Sequence, residues 1–275
     1  MELLIIKWIQ SFSNSFLDLF FQGVTILGEE TFILLFFVVL YWTINKNLGK
    51  FIGYSFFISL LINTALKDFF HSARPIGIDG IKSLRTYTAT GYSFPSGHTQ
   101  AVTALFASLC IFSRKKTVYI ISTILILLVG ISRIYLGLHW PKDVIGAIVI
   151  GLTIVLLSYY SYINKYHKAV LLSILLLGSP FIIYFNTSGY PIAYGITFGY
   201  FFGTAFEKKY ANFTIHKNLK KNILRIAFGL IGLLAIKEGF KILLPEHYYF
   251  DVLRYALLSF YGLGFFPLLI RKYNL

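Results

Sequence analysis

The sequence predicts an all-α membrane protein: a polytopic transmembrane helical bundle of about nine spans, preceded by an N-terminal interfacial helix. Three observations predict it. Of 275 residues, 57% are hydrophobic and 13% charged, where a typical soluble domain carries about 25% charged residues. The mean hydropathy of +0.71 and the 19% aromatic content exceed what one aqueous core can bury, so the surplus faces lipid. The charges, finally, fall mostly between apolar runs rather than within them. This pattern excludes a soluble globule and leaves no room for a sizeable extramembrane domain. Cys110 is the only cysteine, so no disulfide forms within the chain, and it reads as a small apolar residue inside a helix.

Taken in order, residues 1–30 come first. Leu3, Leu4, Ile5, Trp8, Ile9 and Phe12 are interleaved with Glu2, Lys7, Gln10 and serines, which predicts an amphipathic helix on the membrane surface followed by a partly inserted segment. Apolar runs then occupy 31–44, 51–70, 99–112, 117–136, 144–163, 169–185, 192–206, 223–244 and 252–270. Several are shorter than the ~20 residues that fill a hydrocarbon core, so their helices borrow flanking residues or sit in thinned bilayer. The expected organisation is an interfacial segment (1–30), a core bundle (31–163) and a C-terminal four-span extension (164–275).

Charge predicts the orientation. Under nine spans, Lys46, Lys50, Arg114, Lys115, Lys116, Lys165, Lys168, Lys208, Lys209, Lys217, Lys220, Lys221, Arg225, Arg271 and Lys272 share one face with a single acid, Glu207. The remaining cations and acids cancel on the other face. By the positive-inside rule the basic face is cytoplasmic, with the C-terminus inside and the N-terminus outside. The net charge of +14 therefore reads as a topology signal and not as a nucleic-acid surface.

The polar residues able to do chemistry gather at the outer ends of four consecutive spans, in three blocks: KDFFHSARP from Lys67 to Pro75, PSGH from Pro95 to His98, and SRIYLGLHWPKD from Ser132 to Asp143. Ser96 suits an N-cap and Gly97 admits a ligand to the amide groups of the helix it opens. Pro141 suits the first turn of the next helix. With Lys67, Arg74 and Arg133, two positive helix ends ask for a multiply charged oxyanion, most commonly phosphate. His139 and Asp143, four residues apart, permit a carboxylate to fix one imidazole nitrogen while the other attacks. His98 is placed to protonate a departing oxygen. The surrounding cations and the lack of a second carboxylate at ligand spacing disfavour a metal, so no metal and no cofactor are expected.

At these residues the sequence resembles the type 2 phosphatidic acid phosphatase superfamily, whose active site is shared with vanadium haloperoxidases and bacterial acid phosphatases. K-x6-R-P, P-S-G-H and S-R-x5-H-x3-D are all present. The resemblance covers about 31–163 and implies a metal-independent phosphatase working through a phosphohistidine. It assigns His139 as nucleophile, His98 as acid and base, Asp143 as the orienter of His139, and Lys67, Arg74, Ser96, Gly97 and Arg133 as phosphate ligands. The family bundle has about six helices; five runs precede Asn164 here, so either the N-terminal segment supplies the sixth or this chain differs from the family pattern.

These features together predict an integral membrane lipid phosphatase, its site on the extracytoplasmic face of a bacterial plasma membrane. A phosphatidic acid, phosphatidylglycerol phosphate, polyprenyl diphosphate or sphingoid phosphate would be its substrate. A lipid phosphotransferase with the same intermediate and a non-enzymatic lipid transporter are the alternatives. The expected partners are that lipid and the bilayer, with no nucleic acid. The 76–94 loop is placed to cover the pocket and select the headgroup. Lys237, Glu238, Lys241, Asp251 and Arg254 read as pairing between neighbouring helices, and His71, His167, His216 and His247 as interfacial or surface residues.

Overall fold

The structure, a computed structural model, describes residues 1–185 and 189–275, and among them there is helix but no strand. The helices are α1 (Glu2–Gln10), α2 (Ser15–Thr25), α3 (Glu30–Val39), α4 (Lys46–Phe70), α5 (Gly97–Ser113), α6 (Lys116–Tyr135), α7 (Pro141–Ile163), α8 (His167–Gly178), α9 (Phe181–Tyr184), α10 (Tyr190–Phe206), α11 (Leu219–Leu243), α12 (Tyr248–Phe260) and α13 (Phe266–Lys272). They form two compact units, one of residues 1–34 and 62–157, the other of 35–61 and 158–275.

Among the described residues, four helical stretches are long and apolar enough to cross a bilayer: Lys46–Phe70, Lys116–Tyr135, Pro141–Ile163 and Tyr248–Lys272. A fifth is added if Ser15–Gly28 and Glu30–Ile44, bent by 52°, count as one broken span. Nine apolar runs thus do not become nine helices of spanning length among the described residues. The runs at 99–112 and 192–206 lie on helices of 17 residues, about 25 Å of rise against a core of about 30 Å. The run at 169–185 is interrupted at Ser179 and Pro180. The run at 223–244 sits on a helix that also carries Lys220, Lys221, Arg225, Lys237, Glu238 and Lys241.

In the first unit α6 shows the inverted pattern of a membrane helix. Ile120, Ile124, Leu127 and Ile131 are exposed along one stripe, while Ser122, Gly130, Ser132 and Arg133 are buried on the other, so small and polar residues face protein and large apolar ones face outward. Helix α1 does more than lie on a surface. Its Ile6 packs against Ile134 and Val144, and Leu17 and Phe21 of α2 pack against Tyr135, Leu136 and Leu138. Leu4, Trp8 and Phe12 remain exposed on its other side. Polar ties fix the register: the Gln10 amide donates to the carbonyls of Lys82 and Tyr135, both at 2.7 Å, and accepts from the Lys82 N–H at 3.0 Å.

In the second unit α10 and α12 approach closely along Gly195, Gly199 and Gly203; a Cβ on Gly199 would lie 2.2 Å from the Ala256 carbonyl, the small-residue packing that brings membrane helices together. Glu207 is fully buried and held by Lys46 at 3.0 Å and by Lys50. The charged group on α11 and α12 differs from the expectation of pairing between helices: the ion pair formed there is Arg254 with Asp251, three residues apart on one helix at 3.2 Å.

Candidate active site

The three sequence blocks meet at one end of α4, α5, α6 and α7. Helix α6 stops where Gly137, at φ +66°, takes the left-handed conformation, and the Leu138 and Gly137 N–H groups return to the carbonyls of Arg133 and Ile134 at 3.1 and 3.0 Å. This Schellman closure leaves no room for a larger residue, since a Cβ on Gly137 would meet the Lys82 carbonyl at 2.4 Å. His139 follows at once, its own N–H on the Arg133 carbonyl at 3.3 Å, and Pro141 opens α7 as its first residue. Sequence spacing alone therefore sets the imidazole of His139 beside Arg133 and Asp143.

His139 and Asp143 are buried. Nδ1 of His139 faces Oδ2 of Asp143 at 3.4 Å and the Ser93 hydroxyl, also at 3.4 Å. Asp143 Oδ2 is itself fixed by the Ser93 hydroxyl and by the Trp140 N–H at 2.8 Å. On the other side of the ring, Arg74 Nη1 lies 2.9 Å from His139 Nε2. A guanidinium only donates, so Nε2 is the acceptor and the proton sits on Nδ1, which is the tautomer a carboxylate at Nδ1 selects. Burial first, then the charges of Arg133, Arg74 and Lys67, hold the His139 imidazole well below its ordinary value of 6.5. It is neutral at neutral pH, with its ring lone pair on Nε2.

Arg74 is the cation at that nitrogen, and the charges of Arg133 and Lys67 act on the same ring. Arg74 and Lys67 share one acceptor, the Tyr92 carbonyl, and Arg74 also donates to the carbonyls of Thr90, Gly91 and Leu138 at 2.8, 2.9 and 3.0 Å. Burial lowers the Arg74 guanidinium to about 10, so it stays charged at neutral pH. Gly97 sits against the Lys67 stem, and a Cβ there would lie 3.9 Å from Lys67 Cε. Arg133 is completely buried. Its Nη1 donates to Thr25 Oγ1 at 2.8 Å and approaches Thr88 Oγ1 at 3.5 Å, whereas its Nε and Nη2, like Nε2 of His98, are buried with no hydrogen-bond partner in the protein. Buried N–H groups without partners are rare and costly; here they cluster where an oxyanion would satisfy them.

All eight residues singled out from the sequence occupy this one region. Ser96 stands at the N-cap of α5 but makes no side-chain capping bond. Its hydroxyl pairs with Thr99 Oγ1 at 3.0 Å, and its N–H donates to the Asp143 carbonyl at 3.1 Å. His71 packs edge-on against Tyr92, ring centroids 4.5 Å apart. Three contributors escaped the sequence reading. Ser93 is an unremarked loop serine; Asn63, one turn before Lys67, donates to the Pro95 carbonyl and Gln100 Oε1 at 3.3 and 2.8 Å; Thr25 holds Arg133. Only Asn63 left a usable signal, a buried amide four residues before the motif lysine on the same helix face. Among the described residues, no three His, Cys, Asp or Glu side chains are grouped as a metal would require.

The model for the PAP2 superfamily matches residues 48–167, and the model for the PAP2 superfamily phosphatase transmembrane extension matches 192–275. Sphingosine-1-phosphate phosphatase 2 of Mus musculus is 25% identical over 189 residues, 66% of this chain and 52% of that protein. Phosphatidylglycerophosphatase B of Bacillus subtilis (strain 168) is 30% identical over 143 residues, 47% of this chain and 68% of that protein. The chain spans about half the length of the sphingosine-1-phosphate phosphatases it matches. Among solved structures, the transmembrane PAP2 type phosphatidylglycerolphosphate phosphatase from Bacillus subtilis superposes with a TM-score of 0.51 at 28% identity, covering 59% of this chain and 84% of that one. Motif, extension and relatives converge, and the chain belongs to the PAP2 superfamily.

Proposed function

We propose that this protein is an integral membrane phosphatase that hydrolyses a lipid phosphate or lipid pyrophosphate through a phosphohistidine on His139, without a metal, at the extracytoplasmic face. The observation that carries it is the neutral, buried His139, held at Nε2 by Arg74, in the same region as the buried Arg133, two of whose nitrogens the protein leaves unmatched. The sphingosine phosphate and phosphatidylglycerol phosphate chemistry named for relatives supports a lipid substrate, as does a site at the end of membrane helices. With all nine apolar runs crossing the bilayer, the segregation of fifteen cations in the sequence supports an outward site and a cytoplasmic C-terminus.

In this reading, phosphate oxygens take over the N–H groups of Arg74 and Lys67 from the main-chain oxygens of Thr90, Gly91 and Tyr92 and from Nε2 of His139, which frees its lone pair, and they satisfy Arg133. Nε2 of His139 then attacks phosphorus in line with the leaving oxygen. The P–N bond forms and the P–O bond breaks with its electron pair going to the leaving oxygen; His98, held neutral by burial and by Arg133, Arg74 and Lys67, takes the proton of the incoming phosphate monoanion and passes it to that oxygen. Asp143 stabilises the positive charge that develops on the imidazole. Water next attacks the phosphohistidine, gives a proton to His98, and the P–N bond breaks to regenerate neutral His139. Positioning and charge neutralisation supply most of the rate, as phosphoryl transfer requires.

The test is phosphate release from lipid phosphates by purified protein in EDTA. Wild type is expected to turn over, and His139→Ala and His98→Ala to lose activity by at least about a thousand-fold. Retained activity in either variant, or loss of wild-type activity on chelation, contradicts the mechanism. Sidedness is tested with a cysteine introduced into the 76–94 loop of a Cys110→Ser background, which an impermeant reagent should label in intact cells.

A further inference from the structure

The 76–94 loop carries a fourth cation at the site, Arg85, which lies outside the three motif blocks. Its backbone is left-handed at φ +55°, fixed by the Thr88 N–H and hydroxyl on its carbonyl at 3.0 and 2.9 Å. The preceding Leu84 N–H donates to the carbonyl of Leu136 at the end of α6, at 3.0 Å. The loop is therefore pinned to the helix that carries Arg133, and Thr88 Oγ1 approaches both residues. The Arg85 side chain is 16% exposed and pairs with Glu29 through Nη2; its Nε is buried without a partner. The guanidinium rests over the Tyr87 ring, 5.3 Å from its centroid.

Glu29 is itself placed by contact with the catalytic region. Gly28, its neighbour, approaches His98 so closely that a Cβ would fall 2.8 Å from His98 Cβ. Thr25, four residues before Glu29, accepts from Arg133. One short wall of chain thus touches His98, Arg133 and Arg85 in turn, and the charge of Arg85 acts on both His98 and Arg133. Lys67, Arg74 and Arg133 already exceed the charge of a single phosphate dianion. A fourth guanidinium with one unmatched buried N–H, and a carboxylate as its resting partner, has the make-up of a second anion subsite.

Resting on the phosphatase reading, we propose that Arg85 is a specificity residue that binds a second phosphoryl group of the same lipid substrate, exchanging Glu29 for it. That group is either joined to the scissile phosphate through a bridging oxygen, as in a polyprenyl diphosphate, or carried across a glycerol, as in phosphatidylglycerol phosphate.

The test uses two pairs of substrates with matched tails, farnesyl diphosphate against farnesyl monophosphate and phosphatidylglycerol phosphate against phosphatidic acid, with wild type, Arg85→Gln, Arg85→Lys and Glu29→Gln. The expected result is a fall of at least ten-fold in the ratio of kcat/KM, two-phosphoryl over one-phosphoryl member, in Arg85→Gln. The fall should lie mainly in KM, be partly restored in Arg85→Lys, and appear in the pair that matches the natural spacing. Glu29→Gln should hold or raise the same ratio, because it frees Arg85. A tie that only secured the loop would make Arg85→Gln and Glu29→Gln act alike and lower every substrate together, which overturns the proposal. An active wild type whose ratios survive Arg85→Gln in both pairs overturns it while leaving the phosphatase reading intact. A wild type inactive on all four substrates overturns both.

Discussion

Two completely buried arginines, one in each compact unit, show how a folded membrane protein uses the same side chain for opposite ends. Arg225 spends all three of its nitrogens within the fold: Nε donates to the main-chain oxygen of Leu275 at 3.0 Å, Nη1 to that of Trp42 at 2.9 Å, and Nη2 to those of Thr214 and Leu275 at 3.0 and 2.6 Å. Arg133 spends only Nη1 on the protein, on Thr25 and Thr88, and keeps Nε and Nη2 unmatched. A buried charge costs several kcal/mol unless its hydrogen-bonding capacity is met. Arg225 meets that cost within the fold and ties three stretches of chain together. Arg133 leaves part of it open, and the same region holds a second unmatched group, Nε2 of His98. Satisfaction, more than burial or charge, separates a structural arginine from a ligand-binding one.

The largest expected effect breaks this contrast if it is wrong. Arg133→Ala should lower kcat/KM by roughly a thousand-fold with the melting temperature held or raised, because an unmet buried charge has been removed. Arg225→Ala should cost about 3 kcal/mol of stability or more while activity per folded molecule stays within about two-fold. Denaturant titration alongside turnover measures both; equal stability losses would erase the distinction. Next in size, Asp143→Asn should lower kcat by about a hundred-fold or more, since the amide no longer holds the Nδ1 proton or stabilises the developing imidazolium.

Smaller effects sharpen the picture. Ser93→Ala and Thr25→Val each remove a partner one step from the reacting atoms, Asp143 Oδ2 and Arg133 Nη1, and should cost about ten-fold in kcat/KM with little change in melting temperature. The smallest is a pH effect. His139 is held below 6.5 in the folded state, so the unfolded chain takes up a proton there that the folded chain refuses. Its contribution to stability is therefore intact above pH 6.5 and lost as pH falls from 6.5 toward the lowered value. Melting temperature should decline through that window in wild type and decline less in His139→Gln; parallel curves would show that this histidine is not held neutral.

Much of this arrangement is legible in the sequence because three blocks fall at consecutive helix ends; the Gly137 turn that aims His139 is not part of that reading. The membrane character is legible from composition. What is hidden has physical causes. Ser93 lies in an irregular loop, where no periodicity marks which way a side chain faces. Thr25 lies on an amphipathic segment whose pattern shows a polar face but not what that face meets. Helix length does not reproduce the count of nine spans, because an apolar run measures hydropathy and not helix length: Ser179 and Pro180 interrupt one run, and two others end on helices of 17 residues.

The central claim, that the nucleophile is His139, is tested most directly by quenching wild-type protein during turnover of a phosphate-labelled lipid and mapping the label. Acid-labile, base-stable phosphate on His139, absent from His139→Ala, is the predicted result. Label on another residue, or turnover with no label on this imidazole under conditions that trap the intermediate, would contradict it.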